Sequence, residues 1–211
     1  MIFRGGWRCA FLVSCALALA VPALSAFPAA AKIKAAFDAI DASHNGAVSR
    51  DEWDAASFAL FRAADKNNDN QIDSDEINNT SIAPDTFLRA DLNHDGKLSV
   101  SEFTELRRAI FQTADIDRDD FLSPVEYELL IVMEKVGWQD RNQNGRVDLS
   151  ELSDSLAKAF DEIDTDHDGS LTTVESEYMR PAAFKRYDTN QDGKLTREEF
   201  VTGYRTELIS G

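Results

Sequence analysis

The chain has 211 residues, enough to bury an apolar core as one domain or two small lobes. Its 38 acidic residues outnumber 22 basic ones, for a formal charge of −16, which argues against nucleic acid and anionic lipid as partners. The same charge suits a cation binder or a merely solubilising surface, and the positions of the acids must separate the two.

The first 26 residues are unlike the rest. Arg4 and Arg8 precede an uncharged apolar run from Cys9 to Val21, then Pro22 and the small residues Ala23 to Ala26. Basic start, apolar middle and small-residue exit predict a signal peptide over residues 1–26 and a secreted or periplasmic location for the remainder. The run is too short for a bilayer-spanning helix, which needs about 20 residues, so no membrane span is expected. Cleavage is permitted after Ser25, Ala26 or Ala31. Leu12-Val13-Ser14-Cys15 resembles a lipoprotein box, but it lies close to Arg8 and the apolar run continues past it, so ordinary processing is expected. Cys9 and Cys15 are the only cysteines. Their removal leaves no disulfide, thiol nucleophile or thiolate metal site. Removing Arg4 and Arg8 also leaves 20 basic against 38 acidic residues, or −18.

From residue 27 onward the chain repeats. Seven 12-residue segments each start with Asp and end with Glu: 41–52, 65–76, 91–102, 115–126, 140–151, 164–175 and 188–199. Their starts lie 24, 26, 24, 25, 24 and 24 residues apart. Calcium takes about six to eight oxygens at about 2.3–2.6 Å. A tight loop supplies them from side chains at positions 1, 3 and 5, the carbonyl of position 7, often a water held by position 9, and both oxygens of a glutamate at position 12.

The candidate ligands follow position by position. The first loop offers Asp41, Ser43, Asn45, the Ala47 carbonyl and Glu52. The second offers Asp65, Asn67, Asp69, the Gln71 carbonyl, Asp73 and Glu76, and the third Asp91, Asn93, Asp95, the Lys97 carbonyl and Glu102. The fourth has Asp115, Asp117, Asp119, the Phe121 carbonyl and Glu126. The fifth has Asp140, Asn142, Asn144, the Arg146 carbonyl, Asp148 and Glu151. The sixth has Asp164, Asp166, Asp168, the Ser170 carbonyl and Glu175, and the seventh Asp188, Asn190, Asp192, the Lys194 carbonyl and Glu199.

The flanking residues agree with the loops. Position 6 must turn at positive φ, where glycine has no steric cost. It is Gly46, Gly96, Gly145, Gly169 or Gly193 in five loops, Asn70 in the second and Asp120 in the fourth. Position 8 is always apolar (Val48, Ile72, Leu98, Leu122, Val147, Leu171, Leu195) and is expected on a short strand that pairs with another loop. Four residues before each loop stands an apolar anchor (Phe37, Phe61, Phe87, Phe111, Val136, Phe160, Phe184), expected on the core face of an entering helix. Position 9 is Ser, Thr or Asp with Glu three residues on, the capping-box pattern that starts a helix.

On these motifs the chain resembles the EF-hand superfamily over about residues 33–207, and looks most like the secreted or periplasmic multi-EF-hand proteins of bacteria. The resemblance implies helix-loop-helix units, Ca²⁺ as the ion, and roles in buffering or signalling. The expected fold is all-α, with tandem EF-hand units that share helices and short β-pairings between loops.

The spacing sets how those units share helices. Only about 12 residues separate successive loops, enough for one helix of about 18 Å. The segments 52–64, 102–114 and 151–163 each read as one unbroken helix. Consecutive loops then sit at opposite ends of a shared helix and cannot pair. Loops are expected to pair with non-neighbours, or across the two interrupted connectors, Asn78 to Pro84 and Arg180-Pro181, where proline disfavours helix in the preceding residue. Seven is odd, so one loop should lack an internal partner.

The sites should also differ in strength. Of the acids at positions 1, 3, 5, 9 and 12, the first loop has only Asp41 and Glu52, whereas the second, fourth and sixth have four each. The sixth adds Gly169 and is expected to bind tightest. Asp120 at the turn of the fourth should cost about 1 kcal/mol, and the first loop should be weakest. Most of the acidity thus falls at metal positions, and a loosened metal-free state that compacts on binding is expected.

No catalytic set is evident. His44, His94 and His167 all occupy position 4, which points to solvent. A calcium buffer or calcium-stabilised protein is favoured. The alternative is a sensor that binds an unknown protein target, but that role uses a Met-rich groove, and only Met133 and Met179 remain after residue 27. Trp53, Tyr127, Trp138, Tyr178 and Tyr204 are the aromatic candidates for a partner surface, of which Trp53 and Tyr127 also read as core. Reticulocalbin-like proteins would be expected to end in a retention signal, which Leu208-Ile209-Ser210-Gly211 is not.

Overall fold

The computed structural model describes residues 28–210 apart from 78–86, Arg89, Gln143 and Gly145. The expected signal peptide, the Asn78–Pro84 connector and the Gly145 turn lie outside the described residues.

The elements in order are α1 (Ala30–Ile40), β1 (Val48–Ser49), α2 (Arg50–Ala64), β2 (Gln71–Ile72), α3 (Ser74–Ile77), β3 (Leu98–Ser99), α4 (Val100–Ala114), β4 (Phe121–Leu122), α5 (Pro124–Val136), α6 (Leu149–Ile163), β5 (Ser170–Leu171), α7 (Pro181–Tyr187), β6 (Leu195–Thr196) and α8 (Arg197–Ser210). Full capping boxes start α2, α4, α5 and α6: Ser49 with Glu52, Ser99 with Glu102, Ser123 with Glu126, and Asp148 with Glu151. Each satisfies backbone N–H groups that the first helical turn cannot bond internally. Pro124 takes the first helical position of α5, where its missing N–H costs nothing.

The two-residue strands pair antiparallel as β1 with β4, β2 with β3, and β5 with β6. The first loop therefore pairs with the fourth, the second with the third and the sixth with the seventh. No consecutive pair joined by an unbroken helix forms, as the spacing required. The helix α2 runs from the β1–β4 pair to the β2–β3 pair, and α4 runs back. Trp53 at the start of α2 meets Phe111 near the end of α4, edge to face at 5.9 Å, and Phe61 meets Phe103 at 5.6 Å. Between these contacts the Trp53 Nε1–H donates to the Arg107 carbonyl at 2.8 Å and Arg107 Nε donates to the Ser57 hydroxyl at 2.9 Å.

All seven anchors, from Phe37 to Phe184, are buried, as are all seven position-8 residues. A larger core takes α1, α5, α6, α7, α8 and the β1–β4 and β5–β6 ends. A smaller one, around Phe61, Ile72, Phe87, Leu98 and Phe103, lies beneath the β2–β3 pair. Burying each aromatic anchor contributes about 1.5–3 kcal/mol, so the repeated anchor explains why helices this short hold together.

Three expectations need correction. The fifth loop forms no strand among the described residues: Val147 is buried in the larger core but unpaired. The fourth loop's strand is already engaged by the first, and Val147 lines a small cavity with Arg50, Asp115 and Asp120 instead of meeting a strand edge. Second, the segment after the sixth loop, 173–178, is a series of turns rather than a helix. Thr172 still caps it, through its hydroxyl and Glu175. The extended Arg180 (ψ 127°) before Pro181 requires the chain to leave helical geometry there. Third, Trp53, Tyr127, Trp138, Tyr178 and Tyr204 are all buried, as are Met133 and Met179, so none of them offers a partner surface. Among the described residues no helix is long and apolar enough to cross a membrane.

Candidate metal centres

Each loop is built by its own acidic side chains. The position 1 carboxylate folds the loop by accepting from the backbone N–H of positions 5 and 6. In the sixth loop Asp164 accepts from Asp168 N at 3.2 Å and Gly169 N at 3.0 Å, and Asp41, Asp65, Asp91 and Asp188 do the same in theirs. Position 3 accepts from the N–H of position 5, as Asn67, Asn93, Asp117, Asn142, Asp166 and Asn190 show. Position 5 accepts from the N–H of position 7 in all seven loops, from Asn45 to Asp192. These contacts order the oxygens along one concave backbone.

Position 6 has φ between 62° and 88° in the six loops where it is described. Asn70 and Asp120 adopt it without glycine's freedom, at φ 62° and 66°. Position 4 also lies at positive φ, which the sequence reading missed: His44, Asn68, His94, Arg118, His167 and Gln191 range from 56° to 65°. Asn and His tolerate that region better than most residues, so three histidines and an asparagine at one position were a legible sign of it. The three histidines are exposed, as expected.

The glutamate at position 12 turns back into its loop. Glu126 Oε1 accepts from Ile116 N at 2.8 Å, and its Oε2 from Ser123 N at 2.9 Å and the Ser123 hydroxyl at 2.8 Å. Glu52, Glu76, Glu102, Glu151, Glu175 and Glu199 are held the same way. Carboxylate oxygens converge to within 4.8 Å in three loops: Asp65, Asp69 and Glu76; Asp115, Asp117 and Glu126; and Asp164, Asp166 and Asp168. These are the three loops with four acids. Asp73, Asp119 and Glu175 stand outside the three groups. Asp73 instead caps α3 by accepting from Asp75 N and Glu76 N.

The electrostatics differ between loops. In the fourth, burial raises Asp115 from its ordinary value, and the charges of Asp119 and Asp117 add to it. Burial and Asp119 raise Asp117, and burial raises Glu126 against the hydrogen bonds of Ser123. A cluster that resists carrying its own charge is one a divalent cation would relieve. The first and seventh loops lie at the other extreme. The Ser49 backbone N–H, helped by both serine hydroxyls and Ser43 N–H, pulls Glu52 down to about 2. The Thr196 N–H leads the same effect at Glu199, also about 2.

Cross-loop cations were not anticipated from the sequence. Lys194 at position 7 of the seventh loop reaches Asp168 at position 5 of the sixth, at 2.8 Å, and draws it down to about 2. Lys97 approaches Asp69 in the same relation at 3.7 Å. In the remaining pair Arg50 of the first loop bonds Asp120 of the fourth at 2.5 Å. Such contacts are visible only once the pairing is known.

A model of the EF-hand domain pair matches residues 30–106, and an EF-hand model matches residues 156–175 and 181–203. The fourth and fifth loops fall outside those ranges and stand on their own geometry. No curated protein matches the chain. Among solved structures it is similar to the magnesium-loaded apo form of berovin, a light-sensitive ctenophore photoprotein, at 18% identity over 84% of this chain and 87% of that one, with a TM-score of 0.28. The EF-hand models together cover more than half of the chain, and the loops they match fold around inward-turned carboxylates: the chain belongs to the EF-hand superfamily and binds Ca²⁺.

Proposed function

We propose that the protein is an extracytoplasmic calcium buffer, or a protein whose fold calcium stabilises, with a binding rather than a catalytic role. All seven loops serve as sites in this reading, the sixth tightest and the first weakest. The observation that carries it is the burial of both methionines and all five candidate aromatics while the glutamates at position 12 are turned into their loops. A sensor would be expected to present such side chains in its ligand-ready geometry. The acids gathered in the loops and the signal-like residues 1–26 support the same reading.

Retention on a phenyl resin tests it. The protein should pass through equally with millimolar calcium and with chelator, while its melting temperature rises with calcium. Calcium-dependent retention would favour the sensor. The mass of the protein recovered from the extracytoplasmic fraction tests the location, with cleavage expected after residue 25, 26 or 31.

A further inference from the structure

Glu128 is a carboxylate that takes no part in any loop, yet it is only 1% exposed. It lies on α5 two residues beyond Glu126, the closing glutamate of the fourth loop. Its Oε2 accepts from the Arg180 backbone N–H at 3.1 Å and from Arg180 Nε at 3.0 Å. Its Oε1 accepts from the Tyr204 hydroxyl at 2.5 Å. Arg180 precedes the first residue of α7, and its Nη1 donates to Glu207 of α8 at 2.8 Å. One buried group next to the fourth loop is thus tied to both helices that flank the seventh.

We infer that Glu128 is a positioning residue that couples calcium binding at the fourth loop to calcium binding at the sixth–seventh pair, an inference that rests on those loops being sites. Glu126 and Glu128 share the same capped first turns of α5, so a shift of one moves the other. Glu128 cannot follow alone, because parting from Arg180 and Tyr204 would leave a charge buried and unpaired. The displacement must pass to α7 and α8 or be resisted by them. In the structure Glu126 and Glu199 are both turned into their loops with every Glu128 bond intact. The network therefore fits the state in which both loops are closed, and filling either should favour the other, reciprocally.

The turn glycines supply the readout, since Gly169 N–H donates to Asp164 and Gly193 N–H to Asp188, each at 3.0 Å. Protein labelled with ¹⁵N-glycine is titrated with calcium, with the fourth loop intact or disabled by Asp117→Ala and Asp119→Ala. Both are exposed, so the fold should survive. Disabling the loop should raise the calcium midpoints of Gly169 and Gly193 by about five-fold or more. In a Glu128→Gln background the increase should fall to less than half of that. Equal increases in the two backgrounds, or none in the parent, would overturn the coupling. Glycine signals indifferent to calcium would overturn the assignment of the sixth and seventh loops, and the coupling with it. Should Glu128→Gln fail to fold, Tyr204→Phe removes one bond to Glu128 and keeps the ring. It must reduce the increase in the same direction, and an undiminished increase would reject the inference.

Discussion

Val48 of the first loop stands opposite Leu122 of the fourth in the antiparallel β1–β4 pair, although two other loops lie between them in the chain. That pairing agrees with the unbroken helices α2 and α4 that follow the first and third loops, because a loop cannot pair with another at the far end of its own helix. It also folds the first four loops into a closed set, with β2–β3 at one end of the α2–α4 layer and β1–β4 at the other.

The pair should matter to stability through its buried side chains. Leu122 is fully buried, and Leu122→Ala should cost about 2–5 kcal/mol, the range for core leucine truncation. Leu92 is 62% exposed, and Leu92→Ala should cost about 0.5 kcal/mol or less. Urea unfolding in saturating calcium compares them, and equal costs would count against the β1–β4 core.

Gly203 sits within α8, where alanine normally stabilises a helix by about 0.5–1 kcal/mol. Here an added Cβ would fall 2.2 Å from Tyr187 Cγ, and that ring also stacks edge to face on Tyr204 at 5.2 Å. Overpacking of this kind costs about 1–3 kcal/mol, so Gly203→Ala should lower the melting temperature. A rise would show that α7 and α8 do not approach so closely.

Lys194 competes for the Asp168 carboxylate that the sixth loop would give to calcium. Lys194→Met removes that cation and leaves the position 7 carbonyl in place. Calcium should then bind the sixth loop more tightly, by about two- to five-fold at low salt, with the gain shrinking as salt screens the pair. Calcium titration read at the Gly169 amide measures it, and weaker binding would mean that Lys194 organises the loop instead.

Acid stability should depend on Glu207. Burial works to raise this group, but Arg180, Tyr187 and Arg186 outweigh it and hold it below its ordinary value. A depressed folded value contributes stability that is present above the unfolded pKa of about 4.3 and lost as pH falls through the lower folded one. Glu207→Gln should therefore destabilise the protein at pH 7 by about 1–3 kcal/mol. It should also remove part of the loss of stability below about pH 4.3. Parallel stability–pH curves for parent and variant would contradict this.

Much of this architecture is legible in the sequence because EF-hand chemistry is local. Asp at position 1, Glu at position 12 and apolar residues at position 8 and four before the loop define each unit within about 16 residues, and the spacing alone excluded pairing of loops one and two. What escaped the sequence depends on contacts between distant segments. Lys194 meets Asp168 and Arg50 meets Asp120 only after the loops pair, and Glu128 looks like any helix glutamate until α7 and α8 close over it. Trp138 and Tyr178 looked available for a partner because nothing local shows which face the larger core covers. Val147 has the pattern of a strand residue, but the fourth loop's strand was already taken.

A tandem array of calcium sites predicts the stoichiometry of binding. Calorimetric titration of residues 27–211 with calcium, after removal of bound metal by chelator, tests it most directly through the stoichiometry. Seven calcium ions per chain, one for each loop and with the first loop last to fill, is the result expected. Three or fewer at saturation would contradict the array.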